Sequence, residues 1–246
     1  MTDIIFNQLK ELHIAAFGEE GGYFDYFFQN VIEKSDVQYI IEDNRVVSAL
    51  YLLRRSIILD ASEIPAVFIS GVGTLPDYRG RGFAGKNLTR TLDSLSAEGV
   101  PMALLVPSDA RFYHRFGFMS VSHTVPYEAT ERYQKRAVTL ADAELLAELH
   151  SRRPFRLARS ASDFAHRINE FEICGAQGYI LSGEGRDVGY LFGTQADWEC
   201  MVEGEPETAP YGMARVCSRD AARKYFGSHN VAEIFGSKSF FMTDRY

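Results

Sequence analysis

Between Ala66 and Val106 the chain follows a pattern that few folds satisfy. Ala66 to Thr74 is an apolar run broken only by small residues. Leu75-Pro76-Asp77-Tyr78 follows, then Arg79-Gly80-Arg81-Gly82-Phe83-Ala84. From Arg79 to Glu98 the spacing of Leu88, Leu92 and Leu95 predicts a helix, which Gly99 and Pro101 stop. Met102 to Val106 is apolar without interruption, as in a strand covered on both faces. Strand, helix and strand in this order imply a parallel pair inside a mixed sheet. Parallel neighbours need a crossover long enough to return over the sheet face.

The flanking segments extend this α/β reading. Ile5, Leu9, Leu12 and Ala16 fall on one helical face, and Gly18 to Gly22 separates them from a second, aromatic helix running from Tyr23 to near Glu33. Val37–Ile41 and Val46–Leu59, joined through Asp43-Asn44, form a predicted antiparallel hairpin. A short helix over Asp109–Arg115 and a strand over Phe118–Tyr127 follow. Beyond about Thr130 the pattern restarts more weakly. Helices are expected over Leu140–His150 and Asp163–Phe171, strands over Tyr179–Leu181 and Val188–Phe192, and a loop over Val202–Pro210. Met213–Val216 and Ala221–Phe226 read as a brief strand and helix. The expected division is residues 1–130 and 131–246.

The glycine-bracketed loop carries the strongest chemical signal. Gly80 and Gly82 let main-chain amides approach a ligand without Cβ obstruction. The following helix contributes unpaired amides and the positive end of its dipole, and Arg79 and Arg81 add charge. The segment Arg79, Gly80, Arg81, Gly82, Phe83 and Ala84 therefore reads as a site for a phosphate-bearing ligand. The same stretch also spells GxxxxGK from Gly80 to Lys86, most of a nucleotide-binding P-loop. Asn87 stands where a magnesium-binding hydroxyl belongs, and Pro76 and Asp77 separate the loop from its strand.

Composition removes other classes. A formal net charge of -7 argues against nucleic-acid binding, which relies on clustered cations. Cys174, Cys200 and Cys217 are widely spaced, so no disulfide framework or metal site is expected. With neither a signal-like start nor a membrane-length apolar stretch, the expected location is the cytoplasm.

Val72-Gly73-Thr74 followed by Arg79–Ala84 resembles the acetyl-CoA signature of the GNAT superfamily of N-acetyltransferases. Downstream, Ser108-Asp109-Ala110-Arg111-Phe112-Tyr113-His114-Arg115-Phe116-Gly117-Phe118 resembles the matching helix, with its tyrosine and Gly-Phe strand start. Within the superfamily the run is most similar to the enhanced-intracellular-survival (Eis-like) acetyltransferases. These add a degenerate second GNAT-like domain and a sterol-carrier-like domain, for which only about Pro210 to Tyr246 remains here. The resemblance implies acetyl-CoA as co-substrate, a small or peptidyl primary amine as acceptor, and a homo-oligomer.

It also implies roles for particular residues. Val72, Gly73 and Thr74 match positions that hold the pantetheine arm, with Gly73 suited to a bulge. Ser108 matches a contact to that arm, or caps the helix that follows. Tyr113 matches the proton donor to the CoA sulfur, and the carboxylate of Tyr246 matches a terminal general base. Glu19, Glu20 and Asp25 beside Tyr23, Phe24 and Phe28 would suit a cationic acceptor. His114 is expected to face away from the cleft, and His13, His123, His150, His166 and His229 to be structural or superficial. A non-catalytic acyl-CoA binder is the alternative from a different functional class.

Overall fold

A computed structural model of the 246-residue chain describes every residue except 1, 19–21, 32–35, 228–230, 238–239 and 243–246, with backbone alone for 197, 209, 232, 236 and 237. Glu19, Glu20 and Tyr246, expected near the site, lie outside the described residues.

Helix α1 (Asp3–Phe17) starts where the Thr2 side chain accepts from the Ile5 amide and ends at the left-handed Gly18, which donates to the Ile14 carbonyl. Helix α2 (Gly22–Asn30) follows. Strands β1 (Val37–Glu42) and β2 (Arg45–Leu59) form the expected hairpin. Asp43 and Asn44 both have positive φ, the geometry of a tight two-residue turn. β3 (Ser62–Thr74) starts earlier than the sequence suggests, because it pairs with β2 along nearly its whole length from Leu59↔Ser62 onward. A single 3-10 turn (Pro76–Tyr78) leads to α3 (Phe83–Ala97). This helix begins four residues later than its periodicity predicts, since Gly80 and Gly82 take positive φ, at 76° and 80°. β4 (Met102–Leu105), α4 (Ala110–His114) and β5 (Met119–Thr124) complete the first half.

The second half contributes β6 (Gln134–Ala137), α5 (Ala143–Ser151), β7 (Phe155–Leu157), α6 (Ala161–Ile173), β8 (Gly178–Gly183) and β9 (Arg186–Thr194). After them come β10 (Asp197–Val202), β11 (Ala209–Val216), α7 (Arg219–Phe226) and α8 (Val231–Ser237). The expected loop over Val202–Pro210 shrinks accordingly. β8, β9, β10 and β6 make an antiparallel sheet in the order β10-β9-β8-β6. The first sheet runs β1-β2-β3-β4-β11-β5, with β7 added to the far end of β2. Among the named strands described there, only β3 and β4 pair in parallel, as the crossover requires. Sheet membership does not divide at 130/131: residues 155–157 and 209–216 belong with the N-terminal strands.

The first sheet is covered on both faces, which explains the unbroken burial of β2 from Val46 to Leu53. Val46, Ala49, Tyr51 and Leu53 pack with Leu9, Leu12, Phe24 and Phe27, on the side of α1 and α2. Leu50 and Leu52 pack with Leu88, Leu92 and Leu95 of α3. Helices α5 and α6 cover the second sheet through Leu146, Leu149, Phe164 and Ile168. None of the described helices is long and apolar enough to cross a membrane.

Close to the C-terminus, Phe240, Phe241 and Met242 are buried, as the apolar tail predicts. Phe241 donates its amide to Phe155 and accepts from Leu157, extending the edge beside β7. Successive side chains of an extended segment point to opposite sides. Phe240 and Met242 accordingly enter the core under the first sheet, and Phe241 enters that of the second. Phe241→Ala should lower stability by about 3 to 5 kcal/mol, the usual range for a fully buried phenylalanine. Urea denaturation checks this: an unchanged midpoint would mean the tail ties nothing together.

Candidate active site

The parallel ladder between β3 and β4 covers only Ala66↔Met102 to Phe68↔Leu104. Past that point β4 ends at Leu105 while β3 continues to Thr74. On its other edge, β3 carries a bulge: Ser70 faces Tyr51 and Gly73 faces Ala49, so Gly71 and Val72 together oppose Leu50. The bulge glycine is Gly71, at φ 56°, and not Gly73 as the sequence suggested. A Cβ on Gly71 would lie 2.5 Å from the Tyr51 ring, so both conformation and space demand glycine. Gly73 instead lets α1 approach, because a Cβ there would sit 3.0 Å from Leu12 and 3.3 Å from Ala16.

A cleft of about 470 Å³ opens where the strands part. Of the sequence-predicted residues it gathers Val72, Thr74, Arg79, Gly80, Gly82, Phe83, Ala84, Ser108 and Tyr113; Gly73 and Arg81 do not line it. Among the described residues, the amides of Gly80 through Gly85 have no protein partner. The first helical donor is Lys86, to the Gly82 carbonyl at 3.0 Å. Six consecutive N–H groups thus meet the cleft or its rim at the positive end of a fifteen-residue helix. Arg81 folds back, donating to the Asp77 carbonyl at 2.9 Å and lying over the Tyr78 ring. Arg79 is braced by the Thr74 carbonyl at 3.2 Å. Arg115, which the sequence reading did not single out, is the second cation in the lining, and no carboxylate is among the described lining residues. Lys86 is exposed and off the cleft.

Asp109, rather than Ser108, caps α4, accepting from the Arg111 amide. The Arg111 side chain bonds the same carboxylate and holds its pKa below the ordinary value. Ser108 is thereby left to face the cleft. Tyr113 is 7% exposed, and burial pushes its phenol up to about 12. His114 turns away and bonds the Phe118 carbonyl at 3.0 Å.

A second cavity, of about 480 Å³, shares Val72, Ser108 and Tyr113 with the first, so the two meet at the phenol. Its near wall is Tyr23 with His13 and Phe17 of α1, and its far wall comes from α6, β9 and β10 of the second half. His13 is buried at this wall rather than superficial. Of the other residues proposed for this side, Asp25 pairs with Lys10 at 3.0 Å, while Phe24 and Phe28 pack in the core. Among the described residues, no three His, Cys, Asp or Glu side chains gather as metal ligands would.

A mixed sheet that parts over the N-terminus of a crossover helix defines an α/β class with a ligand cleft between two central strands. Residues 1–121 match the family model of the acetyltransferase (GNAT) domain. The whole fold is similar to a probable N-acyltransferase of Enterococcus faecalis V583, with a TM-score of 0.67 at 16% identity, covering 92% of this chain and 73% of that one. It is also similar to a GCN5-related N-acetyltransferase of Anabaena variabilis, with a TM-score of 0.64 at 16% identity, covering 88% and 71%. Eis1 of Mycobacterium abscessus aligns with a TM-score of 0.57 at 16% identity, over 78% of this chain and 52% of Eis1. Among curated proteins none matches the chain significantly.

The raised Tyr113 pKa has a definite sign for stability. An unfolded phenol ionises near pH 10 and the folded one only near 12. The stabilisation from keeping Tyr113 neutral is therefore complete below pH 10 and lost as pH climbs toward 12. Tyr113→Phe should escape that loss, worth up to about 2 to 3 kcal/mol. Denaturation at about pH 9 and pH 11.5 tests it: parallel losses in both proteins would show that Tyr113 ionises freely.

Proposed function

We propose that this chain is a GNAT-type N-acetyltransferase that transfers an acetyl group from acetyl-CoA to a primary amine by direct attack. The observation that carries the reading is the row of unpartnered amides from Gly80 to Gly85, facing a cleft that meets a second cavity at Tyr113. Diphosphate is the ligand such amides suit, since it offers several charged acceptors over the span of one helical turn. Arg79 and Arg115 add full charge without a competing carboxylate. Among the described residues the β3–β4 ladder ends at Phe68↔Leu104, and Val72 and Thr74 line the cleft beyond it, where an extended pantetheine arm would lie.

The chemistry follows from the junction. The amine nitrogen bonds to the thioester carbon, the C–S bond breaks, and the nitrogen gives up a proton. Main-chain donors at the Gly71–Val72 bulge are the groups placed to hold the developing oxyanion. Tyr113 stays protonated at neutral pH and donates a hydrogen bond to the leaving sulfur. A thiol of pKa near about 8.5 is the stronger acid, so complete transfer from this phenol would run uphill. The proton that ends on sulfur therefore originates on the amine. We assign its first acceptor to the Tyr246 carboxylate. In support, Met242 is buried against Gly212, a position beside the Leu105 carbonyl where β4 leads into the Ser108 segment.

Residues 1–130 would thus carry the donor side, while residues from 131 onward furnish the far wall of the acceptor cavity. A P-loop reading lacks support, because Lys86 is exposed and away from the cleft. A pure acyl-CoA binder would have no use for the second cavity.

Thiol release from acetyl-CoA in the presence of amines tests the reading directly. Gly82→Asp should abolish acetyl-CoA binding, because it sets a carboxylate before the diphosphate at a residue with φ 80°. Wild-type affinity in that variant, by calorimetry, would sink the loop assignment. Appending two alanines after Tyr246 should lower turnover about 10-fold or more while leaving acetyl-CoA affinity intact, the scale of losing a positioned general base. Unchanged turnover would remove the terminal carboxylate from the mechanism.

A further inference from the structure

Beneath the acceptor cavity lie four charged side chains that the transfer reaction as described does not use. Arg159 follows β7, Arg167 and Glu170 belong to α6, and Glu199 sits on β10; all four are buried. Arg159 donates to both oxygens of Glu199, at 3.0 and 3.4 Å. Arg167 bridges the carboxylates, donating to Glu199 Oε2 and to Glu170 Oε2, each at 3.1 Å. Glu199 is therefore satisfied through both oxygens. Glu170 is not: its Oε1 is buried and has no hydrogen-bond partner. Glu170 also lines the acceptor cavity, whose walls include the rings of Tyr23, Phe171 and Trp198.

A carboxylate oxygen withdrawn from water normally finds a donor, and at the wall of a cavity an incoming group can supply one. Burial raises the Glu170 pKa above the ordinary carboxylate value, against the pull of Arg167. The last torsion of a glutamate is soft, and a modest rotation turns Oε1 toward the cavity. We propose that Glu170 Oε1 receives the ammonium of the acceptor, making the second half of the chain the reader of acceptor charge. The inference rests on the transferase reading for its meaning, though not for its test. The two guanidinium groups balance the two carboxylates, and a single oxygen is left open. The site therefore suits one ammonium on an apolar or aromatic body better than a polycation.

Calorimetric titration of the full chain with 2-phenylethylamine, spermidine and the uncharged 2-phenylethanol tests this. The wild type should bind 2-phenylethylamine more tightly than either of the others. Glu170→Gln turns an acceptor into an amide donor facing the ammonium, and should weaken 2-phenylethylamine about 10- to 100-fold, as loss of a charge-assisted hydrogen bond does. Binding of 2-phenylethanol should not change. Thr194→Lys adds a cation from an exposed residue of the same lining. It should weaken the amine without touching the buried network, and so guards against a misfolded Glu170 variant. Equal amine affinity in wild type, Glu170→Gln and Thr194→Lys would overturn the proposal, as would tighter binding of spermidine. Thiol release measured in parallel separates the two readings. Release that persists with unchanged amine affinity in Glu170→Gln removes only the ammonium site. Glu170-dependent amine binding without any release removes only the transfer reaction.

Discussion

Two parallel strands that pair for three positions and then separate create the space on which every other feature of the site depends. Backbone groups freed inside a protein demand partners, so a gap between central strands is costly unless something enforces it. At this height β3 carries a bulge whose conformation is fixed by sterics. Gly71 can take its left-handed conformation only as glycine, and the Tyr51 ring occupies the volume where any side chain would stand. The bulge lies just past the last β3–β4 pair, Phe68↔Leu104. Cleft, amide row and phenol thus gather at the height of a bulge that is held by a packing contact with Tyr51.

The two sides of the junction differ in electrostatic character, which gives the site a direction. The cleft at the α3 N-terminus presents amide dipoles and two arginines without a described carboxylate. The other cavity carries Glu170 and Glu199, partly neutralised by buried guanidinium groups. Anionic and cationic ligands would be sorted to opposite ends before any bond changes. Tyr113 sits between them, neutral and almost dry, where a charged group would favour one side over the other.

What could be read in advance was local. The glycine loop, the α3 periodicity and the apolar β4 each announce themselves within a window shorter than twenty residues, and the cleft at the α3 N-terminus is assembled mostly from such neighbours. The far wall of the second cavity is not legible in the sequence, for the opposite reason. β10 places Glu199 where a strand pattern calls for an apolar residue, and only Arg159 and Arg167, distant in sequence, make that burial tolerable. β11 contains Pro210 and Gly212, so its propensity is poor, and its partners are strands formed about a hundred residues earlier. His13 shows no ligand spacing; its place at the cavity follows from how α1 settles on the sheet. Sequence alone points to Gly73 for the bulge, whereas the β2–β3 register sets Gly71 against the Tyr51 ring.

The position of β11 bears on how the protein is made. β4 and β5 never touch as neighbours; each pairs with a strand that leaves the ribosome long after both. The nascent N-terminal half must wait with two strand edges bare, a state prone to pairing with other chains. Cutting the gene after the segment that matches the acetyltransferase domain would make that waiting state permanent.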